Sequence, residues 1–238
     1  MIDMHTHILP GVDDGSQSIE ETGKMFEMLL EQGVDTVVAT PHMYLDEDEI
    51  ESFLKRRDEA VLKVQNSISV HKRPDLALGA EVQFIPELSA MDNVEKLCIS
   101  GTRYLLVEMP FSAWSGYTYK ALTKLYTARG ITPVIAHVER YLDFQDETDE
   151  KILMRLKEAN ALIQINSSFL TFKPSRRRAL ALVKKNLINF MGSDGHNIST
   201  RKPDFITGFD VIYDKFGEKG LESFEYWEEK IKNKITVI

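Results

Sequence analysis

Short apolar runs rich in β-branched residues alternate with longer amphipathic stretches along the whole chain, which is the pattern of repeated βα units. Seven runs predict strands at Met1–His5, Asp35–Thr40, Leu76–Glu81, Tyr104–Glu108, Pro133–His137, Leu162–Asn166 and Asn189–Ser193. Each is nearly continuous in hydrophobic residues, as parallel strands buried on both faces require. Helices are predicted between them at about Ser18–Gln32, Asp48–Gln65, Tyr117–Arg129, Asp149–Asn160 and Ser175–Asn186. The first is well marked. Ser18 and Glu21 have capping-box spacing, Met25, Phe26, Leu29 and Leu30 recur on one face, and Gly33 ends it. Beyond the seventh strand the chain reads as helical, with Pro203 as a helix start and Phe205, Phe209 and Ile212 on one side. No internal repeat or flexible linker interrupts this order, so residues 1–238 are expected to form one domain.

Seven units of about 34 residues suit a (β/α) barrel, although an open doubly wound sheet has the same alternation. The placement of polar residues favours the barrel. The first strand ends in His5-Thr6-His7, the second runs into His42, and the third and fourth end in Glu81 and Glu108. The fifth ends in His137, the sixth in Asn166, and the seventh in Asp194 followed by His196. In a barrel these carboxyl ends converge on one mouth, whereas an open sheet would spread them along a line. Of the six histidines, only His71 lies away from a predicted strand end.

Imidazole and carboxylate together are ligands of borderline divalent metals such as Zn, Mn and Fe. Alternate strand residues point the same way, so His5 and His7 can face one ion, and Asp14 in the following loop can reach over the mouth. A multinuclear metal site is the chemistry this set predicts.

Composition narrows the setting. Acidic residues number 37 against 29 basic ones, a formal charge of −8, which disfavours a nucleic-acid partner. No apolar run approaches a membrane span, and the start MIDMHTH lacks the features of a signal peptide, so a cytoplasmic protein without membrane insertion is expected. The single cysteine, Cys98, suits a reducing compartment and excludes an intrachain disulfide.

The segments Asp3-Met4-His5-Thr6-His7, Asp13-Asp14-Gly15, Thr40-Pro41-His42, Gly79-Ala80-Glu81, Ile135-Ala136-His137 and Ser193-Asp194-Gly195-His196 resemble the four motifs of the PHP (polymerase and histidinol phosphatase) superfamily. More narrowly, the opening Ile2–Ile8 with Asp13-Asp14-Gly15, and His137-Val138-Glu139-Arg140-Tyr141, resemble the manganese-dependent bacterial tyrosine-protein phosphatases of capsule and exopolysaccharide operons. The resemblance runs from Met1 to about Phe216. It implies an α/β fold, a distorted seven-stranded (β/α) barrel holding three divalent ions, with Mn foremost and Fe, Co or Zn compatible. By that resemblance His5, His7, Glu81 and Asp194 hold one ion. Glu81, bridging, with Glu108 and His137 holds a second, and Asp14, His42 and His196 a third. Where many superfamily members have a histidine in the first loop, this chain has Asp14, as the tyrosine phosphatases do.

Three divalent ions bring about +6 against the −4 of Asp14, Glu81, Glu108 and Asp194, leaving about +2 for a phosphomonoester dianion. Arg140 and Arg201 stand three and five residues past His137 and His196, and an arginine fork matches phosphate oxygens as lysine cannot. Together with His42 they are the candidate catalytic residues. Cys98 is separated from Arg103 by four residues, one fewer than the phosphate-cradling loop of thiol phosphatases needs, so a covalent thiol mechanism is not expected.

The sequence thus predicts a metal-dependent protein-tyrosine phosphatase acting on the phosphorylated C-terminal tail of a bacterial tyrosine kinase that controls polysaccharide export. Rival readings are a small-molecule phosphatase such as histidinol-phosphate phosphatase, an amidohydrolase, and a metal-stabilised phosphotyrosine-binding protein without turnover. The basic run Lys173, Arg176, Arg177 and Arg178 beside Phe169 and Phe172 is either a solvated helix start or a docking surface for such a tail. Trp114, Tyr117 and Tyr119 either wall the mouth or pack over the barrel top.

Overall fold

Strands form at all seven expected places; a short further strand follows the second beyond Pro41, and the third is interrupted at Gly79 and Ala80. The computed structural model describes residues 1–238. Its strands are β1 (Ile2–Thr6), β2 (Thr36–Ala39), β3 (His42–Met43), β4 (Asp75–Leu78), β5 (Glu81–Gln83), β6 (Tyr104–Glu108), β7 (Thr132–Ile135), β8 (Leu162–Asn166) and β9 (Phe190–Gly192). Every ladder is parallel; β1, β2 and β4 form one sheet, and β3, β5, β6, β7, β8 and β9 follow in order in the other.

The breaks have local causes. Pro41 has no N–H to give the ladder, and it separates β2 from β3. Gly79 and Ala80 separate β4 from β5. Hydrogen bonds carry the two segments side by side through the gap, from Gly79 N to Ala39 O at 2.8 Å and from Glu81 N to Pro41 O at 3.0 Å. Arg57, buried on a neighbouring helix, braces the gap by donating to the Gly79 carbonyl at 3.0 Å. As a result His42 and Glu81 stand opposite each other in register.

The helices are α1 (Ile19–Glu31), α2 (Ile50–Ser67), α3 (Gly116–Arg129), α4 (Asp149–Glu158), α5 (Ser167–Thr171), α6 (Lys173–Lys184), α7 (Ile206–Phe216) and α8 (Glu222–Lys232). Ser18 caps α1 by accepting from Glu21 N, but the Glu21 carboxylate reaches back to Gln17 N, one residue short of a full capping box. Pro203 does not start α7. That end is held by Gln32 of the α1 C-terminus, whose Oε1 accepts from Phe205 N at 2.7 Å and Ile206 N at 3.1 Å. None of the helices is long and apolar enough to cross a membrane.

The sheet is curled, and one face of it carries both floor and site. Ile2, Met4, Val38, Ala77, Tyr104, Leu106, Val134 and Phe190 cluster there with Ile231 of α8 beneath them. Strand alternation carries the same face upward from Tyr104 and Leu106 to Glu108, and from Phe190 through Gly192 to Asp194. A much larger cluster of 54 buried residues packs the opposite face against the helices. Across the gap between β9 and β1, Asp194 N donates to His5 O at 2.8 Å and His7 N to Gly195 O at 2.9 Å.

Candidate metal centre

Glu81 stands at the middle of the polar cluster. Fully buried, it places Oε2 3.1 Å from His5 Nε2, 3.2 Å from His7 Nε2 and 3.3 Å from His42 Nδ1, while Oε1 lies 2.6 Å from His137 Nε2. Asp194 Oδ1 sits 3.7 Å from His5 Nε2, 3.4 Å from His7 Nε2 and 3.5 Å from His196 Nδ1. Asp14, exposed on its loop, brings Oδ1 within 3.6 Å of His42 Nε2 and 3.4 Å of His196 Nε2. Glu108 completes the set at 3.9 Å from His42 Nδ1. All nine predicted ligand residues therefore meet at the mouth, and His71 is exposed elsewhere.

Three groups of donor atoms are compact enough to surround an ion: His7, Asp14, His42 and His196; His5, His7 and Glu81; and His42, Glu81 and Glu108. The grouping differs from the resemblance in three respects: Asp194 is in none of the groups, His7 joins Asp14, His42 and His196, and the place of His137 changes. His137 joins through its contact with Glu81, and His42 takes the place beside Glu108. Donor separations of 3.1–3.6 Å are what two atoms each about 2.1 Å from a shared ion adopt at near-tetrahedral or octahedral angles.

The imidazoles are oriented for that task. His7 Nδ1 is held by Asp13 Oδ2 at 2.6 Å, His5 Nδ1 faces Gln164 Oε1 at 3.3 Å, and His196 Nδ1 lies 2.9 Å from the carbonyl of Asp194. Each of these acceptors favours a proton on Nδ1 and leaves the Nε2 lone pair turned into the cluster. His137 Nδ1 pairs with the Tyr141 hydroxyl at 3.0 Å, which itself accepts from Met109 N. Two buried ring nitrogens, His42 Nδ1 and His196 Nε2, have no hydrogen-bond partner, which is a cost a bound cation would remove.

Charges agree. Burial lowers His42 and His137 from the ordinary imidazole range and takes His196 down to about 4, so their lone pairs are free. For His5 and His7 burial acts the same way, but the carboxylates of Glu81, Asp194 and Asp13 outweigh it and raise both. Burial together with the Glu81 charge pushes Glu108 up to about 7. A cluster that crowds acids this closely is built to receive positive charge.

Backbone strain gathers at the same place. Five non-glycine residues have positive φ; three are asparagines, which tolerate it, and the others are His137 (28°) and Asp194 (53°). Gly192 makes room beside them, because a Cβ there would come within 2.6 Å of the His5 Cβ.

Arg140 and Arg201 both reach Asp194, Arg201 through Nη2 at 3.1 Å to each carboxylate oxygen. Glu139, next to Arg140 in sequence, turns inward and accepts from Asn166 N at 3.0 Å. The arginines border a cleft of about 570 Å³ shared with Asn166, Ser168 and Lys202. In the basic run at the start of α6, Arg178 pairs with Asp149 and Asp143 and Arg176 donates to the Leu170 and Thr171 carbonyls, while Lys173 and Arg177 are exposed. Trp114 and Tyr119 are buried, and Tyr117 points to solvent.

Sequence reasoning passed over Asp13, Gln164 and Tyr141 as partners of the imidazoles. A signal existed for one of them, since Gln164 alternates with Asn166 and so shares its face. Asp3, two residues before His5, was also unassigned; it accepts from Ser193 N at 2.8 Å, and burial pushes it up to about 6.

Cys98 is buried in the large core cluster, and burial raises its thiol to about 12. Below that pH it stays protonated and unreactive, since alkylation requires the thiolate. Cys98→Ser is expected to keep nearly all activity, and iodoacetamide to label the native chain far more slowly than the unfolded one between pH 7 and 9. A folded, inactive Cys98→Ser would point back to covalent catalysis.

Comparison with known proteins agrees with this geometry. Residues 1–230 match the family described as "Capsular polysaccharide synthesis, CpsB/CapC". The chain is 31% identical over 236 residues to tyrosine-protein phosphatase CpsB of Streptococcus pneumoniae, with 92% of each chain covered. It is 31% identical over 229 residues to tyrosine-protein phosphatase YwqE of Bacillus subtilis, covering 92% of this chain and 86% of that one. Among solved structures, one from work on YwqE and CpsB, described as unique metal-dependent tyrosine phosphatases, superposes with a TM-score of 0.77 at 28% identity, covering 100% of this chain and 97% of the other. Histidinol phosphate phosphatase of Lactococcus lactis shares the fold at a TM-score of 0.55 and 10% identity, covering 92% of this chain and 93% of that one. With the match extending over nearly its whole length, the chain belongs to the CpsB/CapC family.

Proposed function

We propose that the protein is a metal-dependent protein-tyrosine phosphatase acting in the cytoplasm on the phosphorylated C-terminal tail of a tyrosine kinase that governs capsular or exopolysaccharide synthesis. The observation that carries this reading is the convergence of five histidines and four acids on one mouth, with two arginines at its rim. We infer in addition that the curled sheet is a distorted seven-stranded barrel, which the hydrogen bonds between the ends of β9 and β1 support.

In this reading His5, His7, Asp14, His42, Glu81, Glu108, His137, Asp194 and His196 hold three divalent ions, Mn foremost. Bound divalent ions supply a water of lowered pKa and neutralise phosphoryl charge. Arg140 and Arg201 bind the phosphoryl oxygens from the cleft side, and Asp194 keeps both guanidinium groups aimed at the mouth. His42, the most exposed of the five imidazoles, is placed to meet substrate as well as an ion. A tyrosinate leaving group, with a pKa near 10, asks less of a proton donor than an alkoxide.

Metal analysis of the purified protein, beside assays on phosphotyrosine, phosphoserine and histidinol phosphate, tests the proposal. Bound divalent metal and fastest turnover of phosphotyrosine are expected, with activity lost on chelation. Preference for histidinol phosphate would favour the small-molecule reading, which the shared fold of the Lactococcus enzyme keeps in view. Metal without turnover would leave a binding protein.

A further inference from the structure

Four of the five imidazoles at the mouth are anchored at Nδ1: His5 by Gln164, His7 by Asp13, His137 by Tyr141 and His196 by the Asp194 carbonyl. His42 has no such anchor. Its Nδ1 faces Glu81 Oε2 at 3.3 Å and Glu108 Oε2 at 3.9 Å without a hydrogen bond to either, and its Nε2 faces Asp14 Oδ1 at 3.6 Å. His42 accordingly belongs to two of the three donor groups, and neither nitrogen is left over to fix the ring. The outer torsion of a histidine is soft, so an imidazole that must aim both nitrogens needs some other support.

That support is a ring face. Residues two apart on an extended segment point to the same side, and Tyr44 stacks on His42 with the planes 18° apart and the centroids at 5.0 Å. The main chain beneath the pair is fixed at both ends. His42 N donates to Asp13 Oδ2 at 2.9 Å, and the Tyr44 carbonyl accepts from Glu47 N at 3.2 Å and Asp48 N at 3.1 Å. Asp48 pairs in turn with Arg56 of α2, which ties the turn after β3 to a helix. Half-buried, Tyr44 borders the mouth together with Val12, Asp14 and His42.

We propose that Tyr44 is a positioning residue whose ring takes the place of the missing hydrogen bond and holds His42 with each nitrogen turned to its own donor group. The inference rests on the reading of the mouth as a metal centre. Because the contact is made by the face of the ring, phenylalanine can replace Tyr44, and a side chain of similar bulk without a flat face cannot.

Equilibrium dialysis of the purified protein against graded free Mn²⁺, read as equivalents bound, tests this without any turnover. Tyr44→Leu is expected to need about tenfold more free Mn²⁺ than wild type to hold one of its equivalents, the scale on which an imidazole suffers when its outer partner is lost. Tyr44→Phe should follow wild type. Tyr44→Met should match Tyr44→Leu, so the result does not hang on one substitution that must fold. Since Tyr44 acts through His42, adding Tyr44→Leu to His42→Ala should shift the isotherm no further. A Tyr44→Leu isotherm that superposes on wild type, an equal loss in Tyr44→Phe, or an undiminished effect in the His42→Ala background would each overturn the assignment. Absence of bound metal from wild type, with Zn²⁺ as well as Mn²⁺, would instead sink the metal-centre reading on which it rests.

Discussion

Glu81→Ala is expected to lower kcat by about 10⁴-fold or more and to strip bound metal, whereas His196→Ala, which removes a donor from one group only, should cost substantially less. The difference follows from position. Glu81 touches four imidazoles from three separate strand ends and appears in two of the three donor groups, so no other side chain can take over its contacts. Its carboxyl is held well below the usual carboxylate range, because His5 and His137 outweigh the effect of burial. Glu81→Gln keeps the shape without the charge and serves as the control for packing. Metal content by elemental analysis, the far-ultraviolet dichroism spectrum and kcat, measured together, distinguish lost chemistry from lost fold. Full turnover by metal-free Glu81→Ala would end the hydrolytic-metal reading.

Arg140→Ala is expected to keep its fold but lose about 10²–10³ in kcat, the usual cost of removing one well-placed donor to developing charge. An arginine has no lone pair to offer an ion, so its contribution should appear in phosphoryl transfer while metal content stays near that of wild type. Arg140→Lys should recover little, because an ammonium cannot supply the planar fork. The contact with Asp194 adds a second check. Arg201 also holds Asp194, so the carboxylate keeps one guanidinium partner in the single variant, and only the double variant leaves it with none. Wild-type kcat in Arg140→Ala would reduce the residue to a partner of Asp194 and move the phosphate clamp to Arg201.

The strands and the polar residues that meet at the mouth were legible because both are written locally. Parallel strands show as apolar runs, and a polar residue at the end of every run shows where the mouth lies. What stayed hidden depends on partners distant in sequence. The start of α7 carries no local cap of its own, since Gln32 supplies it from the far end of α1, and Pro203 therefore misled. The break at Gly79 was written in the residues, but the strand resumes in the same direction at Glu81, so hydrophobicity alone merged the two segments, and the two-residue strand after Pro41 was too short to show. Asp13, Gln164 and Tyr141 escaped because an imidazole's second nitrogen needs any acceptor in reach, and sequence does not say which side chain will be there.

The bonds from Asp194 N to His5 O and from His7 N to Gly195 O join residues almost 190 positions apart, and they set an order of events for the chain as it is made. Asp194 and His196 are synthesised almost 190 residues after His5 and His7. Until β9 docks beside β1, the mouth lacks Asp194 and His196, so the group of His7, Asp14, His42 and His196 stays incomplete, and loop closure over that span must precede the contacts that reward it. Completion of the full donor set therefore waits until the chain through His196 has been made. A ribosome-stalled chain ending before Gly192 should hold metal poorly, which makes ion uptake a reporter of the moment the two ends of the sheet meet.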